Sequence, residues 1–292
     1  MLSRRKLLTR SLLAGTAIVS LNQTPLMSRV VLEKKYYTGG APWADLLGWK
    51  LGCHSYCFQQ FTFEEALQKN ASMGLRYLEI SQGQSLSKNN DTKVHVGMNR
   101  QELHELKAML AHYGIVPVSI GVVNADREGF DFAAEMGLQF MEIEPEFHEL
   151  PAIDKMAQEY NIHVAIHNHP EPSRYWDYKT TLEKINDLSS YTGMCVDTGH
   201  FARSGIDPLE VVKAAEKRIK TFHFKDLNEA SKQGHDVIWG TGVCKVGAIL
   251  EELKKQKFRG PFIVEYEYNW DNSVPEIAAS VDFFNRKAKE LA

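Results

Sequence analysis

From residue 50 onward the chain alternates between short apolar runs, rich in β-branched and aromatic residues, and longer amphipathic stretches. The runs are 50–56 (KLGCHSY), 75–81 (LRYLEIS), 115–123 (IVPVSIGVV), 138–144 (LQFMEIE), 162–168 (IHVAIHN), 193–197 (GMCVD), 219–225 (IKTFHFK) and 261–267 (PFIVEYE). Runs of this length and make-up predict buried strands. Between them, 62–74, 99–114 and 207–218 carry helical spacing, and a last helical stretch, 274–291, follows the final run. Gly74, Gly114 and Gly137 stand just before the next strand, where helix C-terminal glycines belong. Eight strands, each followed by a helix over about 240 residues, predict an α/β fold, a (β/α)8 TIM barrel. A doubly wound open sheet would usually carry a glycine-rich phosphate turn after its first strand, and CHSYCFQQF has none. No low-complexity linker follows residue 45, so 49–292 reads as a single barrel domain.

The N-terminus has a different pattern. MLSRRKLLTRSLLAGTAIVSL opens on Arg4, Arg5, Lys6 and Arg10 and continues into an apolar stretch, 12–21. That stretch is too short to span a bilayer comfortably and matches a secretory h-region. Arg4-Arg5 followed by Leu7-Leu8 looks like a twin-arginine export signal. The expectation is a signal peptide over 1–28, an N-terminal extension over 29–48 and an exported, periplasmic bacterial protein, with no membrane span in the mature chain. Without 1–28 the chain keeps 30 Lys and Arg against 37 Asp and Glu, a net charge of about −7. Such an acidic body lacks the electrostatic footprint for a phosphate backbone, so no nucleic acid is expected as partner. Composition, 43% hydrophobic and 24% charged, is that of a soluble globular protein. Cys53, Cys57, Cys195 and Cys244 follow no disulfide-framework or zinc-ribbon spacing and read as small buried residues.

In such a barrel chemistry sits at the C-terminal ends of the strands, and almost every run here ends on polar residues. These are His54; Glu79; Glu142, Glu144 and Glu146; His167, Asn168 and His169; Asp197 and then His200; His223, Lys225 and Asp226; Glu265 and Glu267. Residues two apart in a strand share a face. Glu142 with Glu144, His167 with His169, His223 with Lys225 and Glu265 with Glu267 therefore point alike, in two layers. Converging carboxylates and imidazoles are too costly to bury unpaired. A divalent metal removes that cost, and mixed oxygen and nitrogen ligands suit Mn, Co, Zn, Ni or Fe. A lone strand-end Glu is usually a solvated rim residue and a lone His usually structural; those readings stand for His54, Glu79, Glu142 and Glu146. Asp197, His223 and Glu265, on three separate strands, make the metal reading the stronger one.

Four segments, AIHNHP, VDTGHFARSGIDP, RIKTFHFKDLN and WGTGVCKVGAILEELKKQKFRGPFIVEYE, together resemble the xylose isomerase-like barrels grouped as sugar phosphate isomerases/epimerases. That group includes ketose 3-epimerases, inosose dehydratases and AP endonucleases. The resemblance covers most of 50–290 and is strongest over 162–267. It implies that Asp197 is the strand-six metal carboxylate, His223 the strand-seven imidazole and Glu265 a strand-eight ligand that also moves a proton. It puts His200 beside metal or substrate and Lys225 against a substrate oxygen, with His54 among the substrate contacts.

One departure matters. Where the family usually has Glu-Asn at the end of strand five, this chain has His167-Asn168, and His-x-His there is similar to the inosose dehydratase pattern. The lost carboxylate is expected from strand four, as Glu144 rather than Glu142 because it lies nearer the C-terminal end. His167 as a direct ligand is the alternative. The implied cofactor is one divalent ion: Mn, Co, Zn, Ni, Fe or Mg.

The implied reaction is proton transfer next to a carbonyl of a free or keto sugar, with Glu265 or His167 as base and His169 and Lys225 in the catalytic set. Returning the proton makes an isomerase or epimerase. Losing a β-hydroxyl makes a dehydratase or hydratase acting on a keto-sugar or cyclitol. A catalytically silent sugar-binding barrel is a third reading. The partner is a small-molecule sugar, and a homo-oligomer is compatible with the sequence. Trp43, Trp176, Trp239 and Trp270 fit either sugar stacking or core packing.

Overall fold

The apolar runs become the staves of a barrel. The computed structural model describes residues 40–292, so the expected signal peptide and residues 29–39 lie outside the described residues. The staves are β1 (Lys50–His54), β2 (Tyr77–Ile80), β3 (Val116–Ile120), β4 (Phe140–Ile143), β5 (His163–Ile166), β6 (Thr192–Asp197), β7 (Ile219–Phe224) and β8 (Pro261–Val264). Each pairs parallel with the next, and β8 closes on β1. Both faces of such strands are buried, one inside the barrel and one under the helices, which is why they read as unbroken apolar runs. A small antiparallel hairpin, Ser85–Ser87 with Asn90–Lys93, follows β2. Apart from the buried Leu86 its strands are polar and carry no hydrophobic period, so the pattern gave no sign of it.

The helices are α1 (Pro42–Leu47), α2 (Phe63–Ser72), α3 (Arg100–Tyr113), α4 (Arg127–Met136), α5 (Leu150–Tyr160), α6 (Tyr178–Ile185), α7 (Thr198–Arg203), α8 (Pro208–Ala215), α9 (Val246–Lys255) and α10 (Val274–Leu291). Local chemistry sets their ends. Thr62 with Glu65 and Asn99 with Glu102 form capping boxes on α2 and α3. Gly114 and Gly137 close α3 and α4 in the left-handed conformation expected of them. The last part of the expected extension belongs to the barrel body. In it, α1 lies against α10, with the Trp43 N–H donating to Asn285 Oδ1 at 3.2 Å.

The aromatic content concentrates behind β7 and β8. Phe222 stacks on Phe262 at 5.0 Å, and Phe224, Trp239 and Phe284 pack edge-on or tilted around them. Burying each such ring stabilises the fold by roughly 1.5–3 kcal/mol. Trp239 therefore belongs to the core. Trp270 instead stands edge-on to Tyr56, which in turn lies 5.8 Å from His54. All four cysteines are buried and free. Register then layers the barrel interior: His54 pairs with Glu79 across β1 and β2, and Asp197 with His223 across β6 and β7.

Candidate metal centre

Asp197 ends β6 and begins α7 at once. Its Oδ1 accepts the His200 backbone N–H at 2.7 Å, capping the helix, which leaves Oδ2 facing the barrel mouth. Asn168 holds that junction from β5: its Oδ1 accepts the Asp197 N–H at 2.9 Å and its amide donates to the Asp197 carbonyl at 3.2 Å. Gly199 has no room for a side chain, since a Cβ would lie 2.9 Å from Lys225 Cδ.

The same division of labour recurs in three other residues. His167 Nδ1 lies 2.7 Å from Glu144 Oε1, so Nδ1–H donates there and Nε2 is turned inward. His223 Nε2 lies 2.7 Å from Glu79 Oε1 and 2.6 Å from Glu142 Oε2, which leaves its Nδ1 inward. Glu265 Oε1 lies 3.0 Å from His54 Nδ1, leaving Oε2 inward. The inward atoms, His167 Nε2, Asp197 Oδ2, His223 Nδ1 and Glu265 Oε2, are all buried and none makes a well-aligned hydrogen bond, although His223 Nδ1 and Glu265 Oε2 stand 2.9 Å apart and Lys225 lies beside both carboxylates. One ligand atom from each of these four residues lies within 4.8 Å of the others. Two imidazoles and two carboxylates crowded into one dry site are costly to bury without a cation among them. Two imidazole nitrogens and two carboxylate oxygens aimed at one point fit a divalent ion.

A layer of acid and imidazole supports this set from below. Glu79 and Glu142 are fully buried; Ser119 Oγ donates to Glu79 at 2.6 Å and Thr221 Oγ1 to Glu142 at 2.8 Å. Gly121 makes space for the pair, because a Cβ there would lie 3.0 Å from an oxygen of each. Burial opposes the Glu79 charge, but His223 and His54 overcome it and lower its pKa to about 2. Glu142 goes the other way: burial, then the Glu79 charge, raises it. Two carboxylates on one imidazole nitrogen do not both ionise in a dry site.

Above the set lie Lys225, His200 and His169. Lys225 is completely buried; its Nζ hydrogen-bonds Glu267 Oε2 at 2.6 Å and sits 2.7 Å from Glu265 Oε2 and 3.1 Å from Asp197 Oδ2. Burial would lower its pKa, but these carboxylates raise it well above the lysine value. The His200 ring lies tilted against that of His169 at 5.1 Å, and burial holds its pKa well below the histidine value. His169 is half exposed and pairs with Glu144. Burial opposes the charge of Glu144, yet hydrogen bonds from His167 and His169 bring its pKa down to about 2. Burial likewise opposes charge on His167, and hydrogen bonds to Asp197 and Glu144 raise it to about 9. Carboxylates that keep an imidazole protonated to about pH 9 would also favour a metal cation in place of that proton.

The structure thus brings Asp197, His223 and Glu265 together, and it adds His167 to them rather than Glu144. Glu144 stands behind His167 and His169 instead. Glu79, Glu142 and His54, for which ordinary rim or structural readings were open, lie in the barrel interior against His223 and Glu265. Glu146 is exposed and pairs with Arg174. The signal for Glu79 was a single acid between Leu78 and Ile80 in a strand with two buried faces. Arg203 and Asp236, which border the site, carried no signal beyond Arg203 falling one helical turn after His200. Beside Glu144 the loops after β2, β3 and β4 form a groove of ≈ 780 Å³, lined in part by Gln82, Val122, Asn124, Pro145 and His148.

A closed eight-stranded parallel barrel whose mouth gathers carboxylates and imidazoles is the class the structure defines. The chain belongs to the xylose isomerase-like TIM barrel family, whose sequence profile matches residues 147–287. An uncharacterized protein from Parabacteroides distasonis ATCC 8503 shares 30% identity and a TM-score of 0.67, over 82% of this chain and 99% of its own. Inosose dehydratase of Bacillus thuringiensis (strain Al Hakam) is 27% identical over 174 residues, 50% of this chain and 57% of the relative. The chain therefore spans less than two thirds of the curated relatives it matches. A xylose isomerase-like TIM barrel protein from Mycobacterium smegmatis, solved in complex with magnesium, has the same fold at 11% identity, with a TM-score of 0.67 over 83% of this chain and 97% of its own.

Proposed function

We propose that the protein is a divalent-metal-dependent hydro-lyase that removes a proton next to the carbonyl of an unphosphorylated keto-sugar or cyclitol and expels a β-hydroxyl. The observation that carries the reading is the set of four buried ligand atoms on His167, Asp197, His223 and Glu265 that converge within 4.8 Å of one another. A divalent ion held there would draw charge from a carbonyl and a neighbouring hydroxyl and acidify the adjacent C–H. Two nitrogens and two oxygens favour Mn, Fe, Co, Ni or Zn over Mg.

The chain's own groups then divide the work. Glu265 takes the proton, with His54 holding its far oxygen at 3.0 Å so that the carboxylate stays oriented. Lys225, fixed among Asp197, Glu265 and Glu267, offers fixed positive charge to a developing oxyanion. His169, half exposed and paired with Glu144, gives the departing hydroxyl its proton. Epimerisation requires a second base on the opposite face. The strand-five position that would carry a carboxylate for it is His167, whose inward nitrogen belongs to the ligand group.

Charge supports a neutral substrate. Glu144, Asp197, Glu265 and Glu267 surround the mouth, and the cations there, Lys225 and Arg203, are already paired with acids. A phosphoryl group would meet carboxylates before it met a free cation. A twin-arginine signal would place the reaction in the periplasm, which cell fractionation tests.

The deciding experiment follows candidate keto-sugars and keto-cyclitols by NMR in D2O with metal-loaded protein. Loss of a hydroxyl with formation of an enone supports the lyase. Deuterium at one carbon with every hydroxyl retained would replace it with an epimerase or isomerase. Turnover indifferent to chelators would remove the metal.

A further inference from the structure

His200 is the one imidazole of the mouth whose role the ligand geometry leaves open. Its Nε2 lies 3.5 Å from Asp197 Oδ2, and it can be grouped with Glu265 and Glu267 as a potential ligand. What distinguishes it lies on its other side. Arg203 Nη1 is 3.0 Å from His200 Nδ1. A guanidinium has five N–H donors, no acceptor and no accessible neutral form. His200 Nδ1 must therefore accept, so it is the unprotonated nitrogen, and the ring proton sits on Nε2.

Arg203 cannot easily turn away. Its Nε donates to the Gly234 carbonyl at 3.0 Å, Nη1 also donates to Glu267 Oε2 at 3.2 Å, and Nη2 faces Asp236 Oδ2 at 3.5 Å. Its side chain is only 14% exposed. Both residues ride on α7, three apart, and the backbone N–H of His200 is pinned by Asp197 Oδ1. The imidazole is thus clamped at main chain and ring.

We infer that Arg203 is a positioning residue that fixes His200 in its Nε2–H tautomer, keeping it out of the metal ligand set and presenting it as a hydrogen-bond donor to a substrate oxygen. A protonated Nε2 has no lone pair for a cation, however close it lies. The opposite choice is made at His167 and His223, whose outer nitrogens face carboxylates and carry the proton, so that the inner nitrogen, turned toward Asp197 and Glu265, is the one a cation could take. One arginine in place of an acid behind the ring thus separates a donor from two ligands. The consequence for ligation rests on the metal-centre reading; the tautomer does not.

The test uses full-length protein labelled with 15N at histidine, stripped of metal, with the His200 ring signals identified by their loss in His200→Gln. The expected spectrum shows a pyridine-type Nδ1 and a pyrrole-type Nε2. A pyrrole-type Nδ1 would overturn the inference at once, even if no variant folds. In Arg203→Met the Nδ1 signal should shift toward the pyrrole type, and in Arg203→Lys it should stay pyridine-type. A folded Arg203→Met protein with an unchanged His200 pattern would show that the arginine is not the cause. With Co(II) added, His167 and His223 should show contact-shifted ring protons and His200 none; a contact-shifted His200 in the unsubstituted protein would overturn its exclusion from the ligand set. Failure to bind Co(II) would count against the metal centre while the tautomer stood or fell on the metal-free spectra.

Discussion

Glu79 and Glu142 touch the same nitrogen, yet the structure gives them different weights. Glu79 is the ionised partner of His223, with its pKa lowered to about 2, whereas burial and the Glu79 charge raise that of Glu142. Glu79→Gln keeps the volume and an acceptor for the His223 N–H but deletes the charge that raises the ring's basicity. Removing such an outer carboxylate typically costs 10–100-fold in metal affinity, about 1.4–2.8 kcal/mol. Glu142→Gln replaces the carboxyl whose charge burial and Glu79 disfavour, so its loss of affinity should be clearly smaller, within about threefold or roughly 0.6 kcal/mol. Calorimetric titration of chelator-treated protein with Mn(II) or Co(II) measures both, and thermal melts confirm that each variant is folded. Equal losses in the two variants, or a larger loss in Glu142→Gln, would refute the assignment of the charge to Glu79.

Other expectations follow from the same coordinates. Asp197→Ala or His223→Ala should abolish stoichiometric metal, read by elemental analysis of purified protein; retained metal would break the ligand set. Gly199→Ala drives a Cβ to 2.9 Å from Lys225 Cδ, so it should cost about 1–3 kcal/mol and lower the Tm by roughly 2–12 °C. Asp236 should make stability fall as pH rises. Burial raises its pKa to about 7 against the pull of Lys225 and Arg203. Between the ordinary carboxylate value and about pH 7 the folded chain holds a proton that the unfolded chain has released, so stability drops across that window and levels off above it. Asp236→Asn should remove this slope and be more stable than the parent at pH 8 by on the order of 1–4 kcal/mol. Urea unfolding at pH 5 and pH 8 checks it, and an equal difference at both would count against the burial of an ionisable Asp236.

The barrel was legible because parallel strands buried on both faces leave unbroken apolar runs, and the eight runs map onto the eight staves. The rim was legible too, since chain position alone puts Asp197, His223 and Glu265 at strand ends. Distance across the barrel was not. Glu144 and His167 sit on adjacent strands, and one-dimensional order cannot say which faces inward and which stands behind. In the structure Glu144 lies behind His167 and His169 and accepts from the His167 Nδ1–H at 2.7 Å, a support that chain order does not show. Glu79 and Arg203 escaped for a related reason. Glu79 acts through His223, a pairing set by barrel register, and Arg203 meets the His200 ring only because Gly234, Asp236 and Glu267 from elsewhere in the chain hold the guanidinium there. Trp239, open to either reading from sequence, is placed in the core by its contacts with Phe224 and Phe284.

The loop after β7 reaches the site at Asp236 and is tied at its base. Asp226 accepts backbone N–H groups from Leu227, Gly240, Gly242 and Cys244 at 2.8–3.1 Å. Asn228 and His235 then pair across the neck, with the Asn228 N–H donating to the His235 carbonyl at 3.1 Å. Apart from the Gly234 carbonyl that anchors Arg203, what must be exact lies at or below that neck, and residues 229–233 form a tip beyond it. Lengthening such a tip costs only about 0.6 kcal/mol per doubling of the loop. The barrel therefore carries a graftable segment: new sequence can be spliced in at the tip to alter what the mouth admits, while the anchoring carboxylate keeps Asp236 and the chemistry beneath it in register.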